Sequence, residues 1–302
     1  MKKYFFMWLA LCFGLSMQAV PDTVDTLFGD LRPGEKGVVL MVHFGSTYDE
    51  TRGKTYDALN EAMRAAFPDI ELREAYTSRI VIKRLKARGI EKQNPVEALQ
   101  ALEQEGFTHV LVQTSNIIDG IEISVLRQEV EQRRPHFKQI RMGKPLLYSP
   151  EDYTQVVEAL TPQALPDGAT LFVGHGTSSS NTAQYAMLDY VMKAMGHADM
   201  HVATIEGYPT LDTAEALIKA SGRKKIRLIP FLFVAGDHAQ NDIAGDWKTA
   251  LEAKGYEVET LMQGLGEEAA IRQLFIHHAQ AAAVTPWQSA AEEKNNFIQN
   301  NP

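Results

Sequence analysis

Three side chains stand where an apolar run gives way to a loop: His175 in GHGTSS, Glu206 in IEGYPT and His238 in AGDHAQND. The runs are ATLFVGHG (169–176), HVATIEG (201–207) and KIRLIPFLFVAGDH (225–238). In an open α/β sheet, ligands bind in the crevice outside the carboxyl ends of the strands, so three such ends can converge on one place. Two imidazoles and one carboxylate meeting there would make a borderline metal site with nitrogen and oxygen ligands.

Each residue also has a plainer reading. A lone histidine at a strand end is often a satisfied structural residue, but His238 in an equivalent place weakens that reading for His175. GHGTSS sets His175 between glycines, which permit a tight turn and close approach to the backbone. The Ser/Thr run after it can cap a following helix. In AGDHAQND, Asp237 and His238 project beyond the strand, and Asn241 with Asp242 can hydrogen-bond to His238 or to the next helix; a carboxylate on the far imidazole nitrogen would fix its tautomer. The alternative is an Asx-turn with His238 exposed. Glu206 is either the third ligand or a surface glutamate. Glu122, in NIIDGIEIS, is either a proton donor or acceptor across the cleft or an ordinary helix-start acid. His43, in VHFGST, is either a ligand or a residue packed in the cleft. His277 and His278 read as half-buried neighbours on the last helix.

The amino terminus limits the chemistry. Lys2 and Lys3 precede an apolar run from Tyr4 to Leu15, then Ser16-Met17-Gln18-Ala19. Positive, apolar, small is the order of a secretory signal peptide, here residues 1–19, which places the mature chain in the periplasm. About 12 apolar residues are too few to span a bilayer. The sole cysteine, Cys12, lies inside this segment and follows Leu11 rather than the small residue a lipid anchor needs. The mature chain would then have no thiol, so His, Asp and Glu must hold any metal. Removing residues 1–19 leaves 28 basic against 38 acidic side chains, a balance of −10. No basic stripe is evident, which argues against nucleic acid, while a negative field would steer cations inward.

The elements that position these residues alternate. After a lead at 20–36, with a helical turn around Val24–Leu31, the spacing predicts strands at 37–45, 71–78, 109–117 and 139–145. Helices are predicted at 50–66, 79–88, 95–104 and 123–134. A second series follows, with strands at 169–176, 201–207, 225–236 and 258–262 and helices at 182–195, 211–220, 244–254 and 269–283. Such alternation predicts an α/β fold of parallel sheets flanked by helices. The expected organisation is an N-terminal α/β half at 37–150, a C-terminal half at 165–283 carrying the metal site, and a polar, aperiodic, mobile tail at 284–302. The halves look duplicated: GVVLMVHFGST resembles ATLFVGHGTSS, with His43 read one place off His175, and REAYTS resembles IEGYPT, setting Glu74 against Glu206. Two similar Rossmann-like halves facing a central cleft follow. No G-x-G-x-x-G, P-loop, H-E-x-x-H or G-x-S-x-G occurs in a suitable setting, which sets aside nucleotide enzymes, zincins and α/β-hydrolases.

The motifs LMVHFGSTY, AYTS, NIIDGIE, KPLL, GHGTSSS, EGYP, VAGDHAQND, DWK and GLGE…AIR run in order over about residues 37 to 275. In them the chain resembles the anaerobic sirohydrochlorin cobaltochelatases, a chelatase-type family related to the ferrochelatases. The resemblance implies ATP-independent insertion of Co2+, with Fe2+ as the substitute metal, into sirohydrochlorin during cobalamin-type biosynthesis. It implies His175 and His238 as catalytic, metal-binding histidines, Glu206 as third ligand and Glu122 as the acid facing them. No organic cofactor is implied, and haem stands as a second cargo to be tested. Expected partners are a tetrapyrrole and a divalent metal, with a homo-oligomer and a metal or haem transporter as further candidates. One departure is His43, where the resemblance leads us to expect a small residue before Phe-Gly. The rival reading is a periplasmic carrier of metal, tetrapyrrole or haem on the same scaffold.

Overall fold

The computed structural model describes residues 26–29, 31–236, 239–285 and 290–300. The expected signal segment, 1–19, lies outside the described residues, as do Asp237 and His238.

Among the described residues, eight parallel strands form two four-stranded sheets. In the first, β1 (Gly37–His43) lies between β2 (Glu71–Tyr76) and β3 (His109–Thr114), with β4 (Gln139–Met142) at the edge, in the order β2-β1-β3-β4. In the second, β5 (Ala169–Gly176) lies between β6 (Met200–Glu206) and β7 (Lys225–Phe231), with β8 (Glu257–Thr260) outside, in the order β6-β5-β7-β8. The α/β class and the two similar halves are as expected. The central strands β1, β3 and β5 are buried along almost their whole length because helices cover both faces.

Local chemistry sets the helix ends. Helix Pro95–Gln104 starts at Asn94, whose side chain accepts from the Glu97 amide while the Glu97 carboxylate accepts from the Asn94 amide, each at 3.0 Å. Ser149 and Asp152 make the same reciprocal pair for helix Pro150–Leu160, an element absent from the sequence reading. A helix at Ala290–Asn300 also occupies part of the segment read as aperiodic. The expected helical turn of the lead is a short turn at 27–29, where buried Leu27 donates its amide to the Ala283 carbonyl at 2.6 Å.

Chain order and spatial order diverge at two helices. Helix Pro150–Leu160 packs on helix Ala183–Ala194, beside the second sheet, whereas the last long helix, Ala269–Val284, packs on β3 and β4 of the first. Each half thus borrows a helix from the other side of the chain. A shared core seals the join: Val39, Met41 and Tyr56 from the first half meet Phe172, Phe231, Phe233 and Phe275 from the second. The Tyr56 and Phe233 rings stack at 5.1 Å and 11°.

The facing of the side chains aligns the repeats. Matched face to face, His43 falls one place off His175, as expected from the sequence. Glu74 pairs with Met41, two places before the end of β1, whereas Glu206 pairs with Gly176 at the end of β5, so these two glutamates do not match. The two histidines leave opposite faces of their sheets. Val39 and Met41 point into the shared core, whereas Leu171 and Val173 point into the outer core of the second half. Side chains alternate along a strand, so His43 follows the first pair inward and His175 follows the second.

Candidate functional site

A cleft of about 690 Å³ lies between the halves at the carboxyl ends of the sheets. Loops after β1, β3, β5 and β7, together with Glu206 at the end of β6, form its walls. This is the crevice where open α/β sheets bind ligands.

His175 and Glu206 share this cleft because two glycines let their strand ends close. Gly176 pairs with Glu206 and has φ +83°; a β-carbon there would lie 1.7 Å from the Glu206 carbonyl oxygen. Gly207, also at φ +83°, runs equally close to the Thr177 carbonyl, where a β-carbon would sit at 2.3 Å. Only glycine occupies such positions without strain. The half-buried His175 has Nδ1 3.2 Å from the Gly176 carbonyl. With Nδ1–H donating there, Nε2 carries the imidazole lone pair, the arrangement that suits a ligand histidine.

Glu122 lines the same cleft from the other half, exposed in the first turn of helix Ile121–Arg133. His175, Glu206 and Glu122 are thus brought to one cavity. His238 lies outside the described residues, although Gly236, two residues before it, lines the cleft. Among the described residues no three His, Cys, Asp or Glu side chains are grouped closely enough to hold a metal. His277 is exposed and His278 half-buried, and His278 bonds Asp152 at 2.8 Å, remote in role from the cleft.

His43 is not a cleft ligand. It is fully buried, with Nδ1 2.9 Å from Ser115 Oγ and Nε2 3.1 Å from Asn60 Oδ1, and its ring stacks on Tyr56 at 4.3 Å. Of its two sequence readings, packing beside the cleft is the one the structure takes. Burial pulls the imidazole down to about 4, against the pull of Glu74. Asn60 Nδ2 in turn donates to Glu74 Oε2 at 2.9 Å, and Lys92 pairs with the other carboxylate oxygen. Burial opposes the charge on Glu74, but His43, Lys92 and Asn60 together outweigh it and hold the carboxyl below its usual range.

Two features escaped the sequence reading. Ser115, in QTSN, lines the cleft while holding His43; a serine just past a strand carries no signal of its own. The rim is also apolar: Phe44, Tyr48, Ile80 and Ile121 line the cleft while staying exposed, from 45% at Tyr48 to 67% at Ile80. Scattered surface hydrophobics are ordinary, but four around one cleft form a patch of the kind that covers a ligand. Arg84 is the one Lys or Arg among the described lining residues.

Comparison with known proteins decides the family. The family described as "Cobalt chelatase (CbiK)" matches residues 37–284. The chain belongs to the cobalt chelatase family. This chelatase is 36% identical over 264 residues to the "Sirohydrochlorin cobaltochelatase" of Salmonella typhimurium, covering 85% of this chain and 100% of that protein. It is 32% identical over 260 residues to the "Sirohydrochlorin cobaltochelatase CbiKC" of Nitratidesulfovibrio vulgaris, covering 83% of this chain and 92% of that one. The fold of the chelatase matches the sirohydrochlorin chelatase SirB from Bacillus subtilis subspecies spizizenii, solved in complex with cobalt. The TM-score is 0.59 at 14% identity, over 82% of this chain and 95% of that chain.

Proposed function

We propose that this chelatase inserts Co2+ into sirohydrochlorin without ATP, with Fe2+ as substitute metal, and that it does so outside the cytoplasm after export. His175, Glu206 and His238 hold the ion, and Glu122 takes protons from the opposite wall. The family match over 37–284 carries the reading, and the cleft supports it. His175 and Glu206 stand at adjacent strand ends, an apolar rim surrounds them, and a carboxylate faces them.

The chemistry follows from what insertion requires. Imidazole and carboxylate donors bind Co2+ with moderate strength, so the ion can be stripped of water and still released. The apolar rim would grip the flat face of a macrocycle, and Arg84 would meet one of its carboxylates. Two pyrrole protons must leave as the ion enters, so a base must stand close by. Holding ion and macrocycle in one cleft turns a two-body encounter into a positioned step.

The test is metallation by purified mature protein mixed with Co2+ and sirohydrochlorin, followed by absorbance. Catalysed insertion supports the enzyme. Tight binding with only the spontaneous rate would show a carrier for metal or tetrapyrrole instead. Export is checked by the mass of protein recovered from a periplasmic extract, which should lack residues 1–19.

A further inference from the structure

A buried chain of polar groups leads away from the cleft through the first half. Ser115 lines the cleft, almost wholly buried in its wall, and its Oγ lies 2.9 Å from His43 Nδ1. His43 Nε2 lies 3.1 Å from Asn60 Oδ1 and 3.9 Å from Glu74 Oε2. Glu74 and its partner Lys92 line a second cavity, about 510 Å³, on the far side of this chain of groups.

Asn60 sets the direction of the hydrogen bonds. Its amide nitrogen donates to Glu74, so its oxygen faces His43 and must accept from Nε2–H. His43 Nδ1 is then unprotonated and accepts from the Ser115 hydroxyl. Serine is left with lone pairs for a proton arriving from the cleft. The titratable or charged groups that face His43 are Tyr56, Tyr76, Glu74 and Lys92. Both phenols are pushed far up by burial and stay neutral. The Lys92 charge is paired with Glu74, leaving the carboxylate to stabilise an imidazolium.

Resting on the chelatase reading, we propose that Ser115, His43 and Glu74 form a relay that carries protons released by the macrocycle out of the cleft to the second cavity. Ser115 is the group that meets the substrate, and His43 and Glu74 act through it as positioning and relay residues. A pyrrole N–H proton passes to Ser115 Oγ as the serine's own proton passes to His43 Nδ1. The resulting imidazolium gives up its Nε2 proton to the Glu74 carboxylate by a small rotation across 3.9 Å. Glu74 then yields it to water in the second cavity. One pass discharges one of the two protons that a divalent ion replaces, and Glu122 takes the other; no oxidation or reduction occurs. The pass leaves His43 protonated on Nδ1 alone, so its ring reorients between turnovers to present a bare nitrogen to Ser115 again. Because burial disfavours the imidazolium, the proton is passed on rather than stored. The sites assigned to the metal take no part.

The test compares Ser115→Ala, His43→Gln, Glu74→Gln and the double variant S115A/H43Q in steady-state metallation of sirohydrochlorin by Co2+. Each single variant is expected to lower kcat about ten-fold or more while KM for both substrates stays within about two-fold. The double variant should be no slower than the slower single, since all act in one path. Raising the concentration of a buffer base that does not bind Co2+ should restore much of the lost rate, an effect no packing defect would produce. Folded variants with wild-type kcat, or a loss that buffer does not relieve, overturn the relay and leave the chelatase intact. Wild-type protein that fails to metallate sirohydrochlorin removes the chelatase reading and the relay with it. Should His43→Gln not fold, Ser115→Ala, which deletes one hydroxyl at the cleft wall, decides the matter by the same criteria.

Discussion

Gly176 and Glu206 pair across β5 and β6 so tightly that no side chain fits between them: a β-carbon on Gly176 would meet the Glu206 carbonyl oxygen at 1.7 Å. That approach holds His175 and Glu206 on one floor. Gly176→Ala has to relieve both a clash and a left-handed φ, so it should destabilise the fold by about 2 kcal/mol or more. Urea unfolding would measure the loss. Metallation should fall further than stability predicts, because the strand ends must part.

The proposed ligands make a separate prediction. His175→Ala and His238→Ala should each reduce catalysed metallation on the order of a hundred-fold or more while the far-UV circular dichroism stays unchanged. Glu122→Gln should lower kcat and leave Co2+ affinity, read by calorimetry, near the wild-type value. Wild-type rates in both histidine variants would put the metal elsewhere.

Acid stability should report the buried imidazoles. His43 and His201 are both depressed to about 4, in each case chiefly by burial. Their unfolded values lie near 6.5, so above that pH both states are neutral and nothing is lost. As the pH falls from about 6.5 towards 4, the unfolded chain binds protons that the folded chain refuses, and stability drops. For fully buried His43 the drop is at most about 3 kcal/mol. His43→Gln should flatten the unfolding free energy between pH 6.5 and 4.5. Below that, Glu74 and Asp152, both held low in the folded state, add their own loss.

The halves are clasped beside the cleft by the backbone of Asp119. Its amide donates to Gln184 Oε1 at 3.1 Å, and its carbonyl accepts from the Asn181 side chain, both from the second half. Arg127 holds the Asp119 carboxylate at 3.1 Å. Replacing Asn181 and Gln184 together by alanine should loosen the cleft and raise KM for the tetrapyrrole about ten-fold, the worth of one or two hydrogen bonds. Co2+ affinity should not change, because neither residue is among the proposed ligands.

Much of this architecture was legible in the residues. Apolar runs that stop at Gly-His-Gly or Glu-Gly read as strands that end in sharp turns, and β5 and β6 end at those residues. Helices 95–104 and 211–220 agree to the residue, because Asn94-Pro95 and Thr210 announce their starts. Helix Pro150–Leu160 carried an equally clear capping pair in Ser149 and Asp152. It was missed because the prolines around it read as a boundary between halves.

By itself the sequence determined the kind of site: imidazole and carboxylate at the ends of parallel strands, in two repeated α/β halves. Tertiary structure alone decided which of two similar histidines faces the cleft. Strands buried on both faces are apolar at every position, so β1 and β5 show no alternation from which a direction could be read. His43 and His175 look alike in sequence and lie only one place apart when the repeats are matched. Only the packing of Val39 and Met41 against the second half turns His43 inward, onto Ser115 and Asn60, and leaves His175 at the cleft. The exchanged helices were hidden for a related reason: local signals fix where a helix begins, while the sheet it covers depends on which apolar surface remains unpaired when the chain collapses.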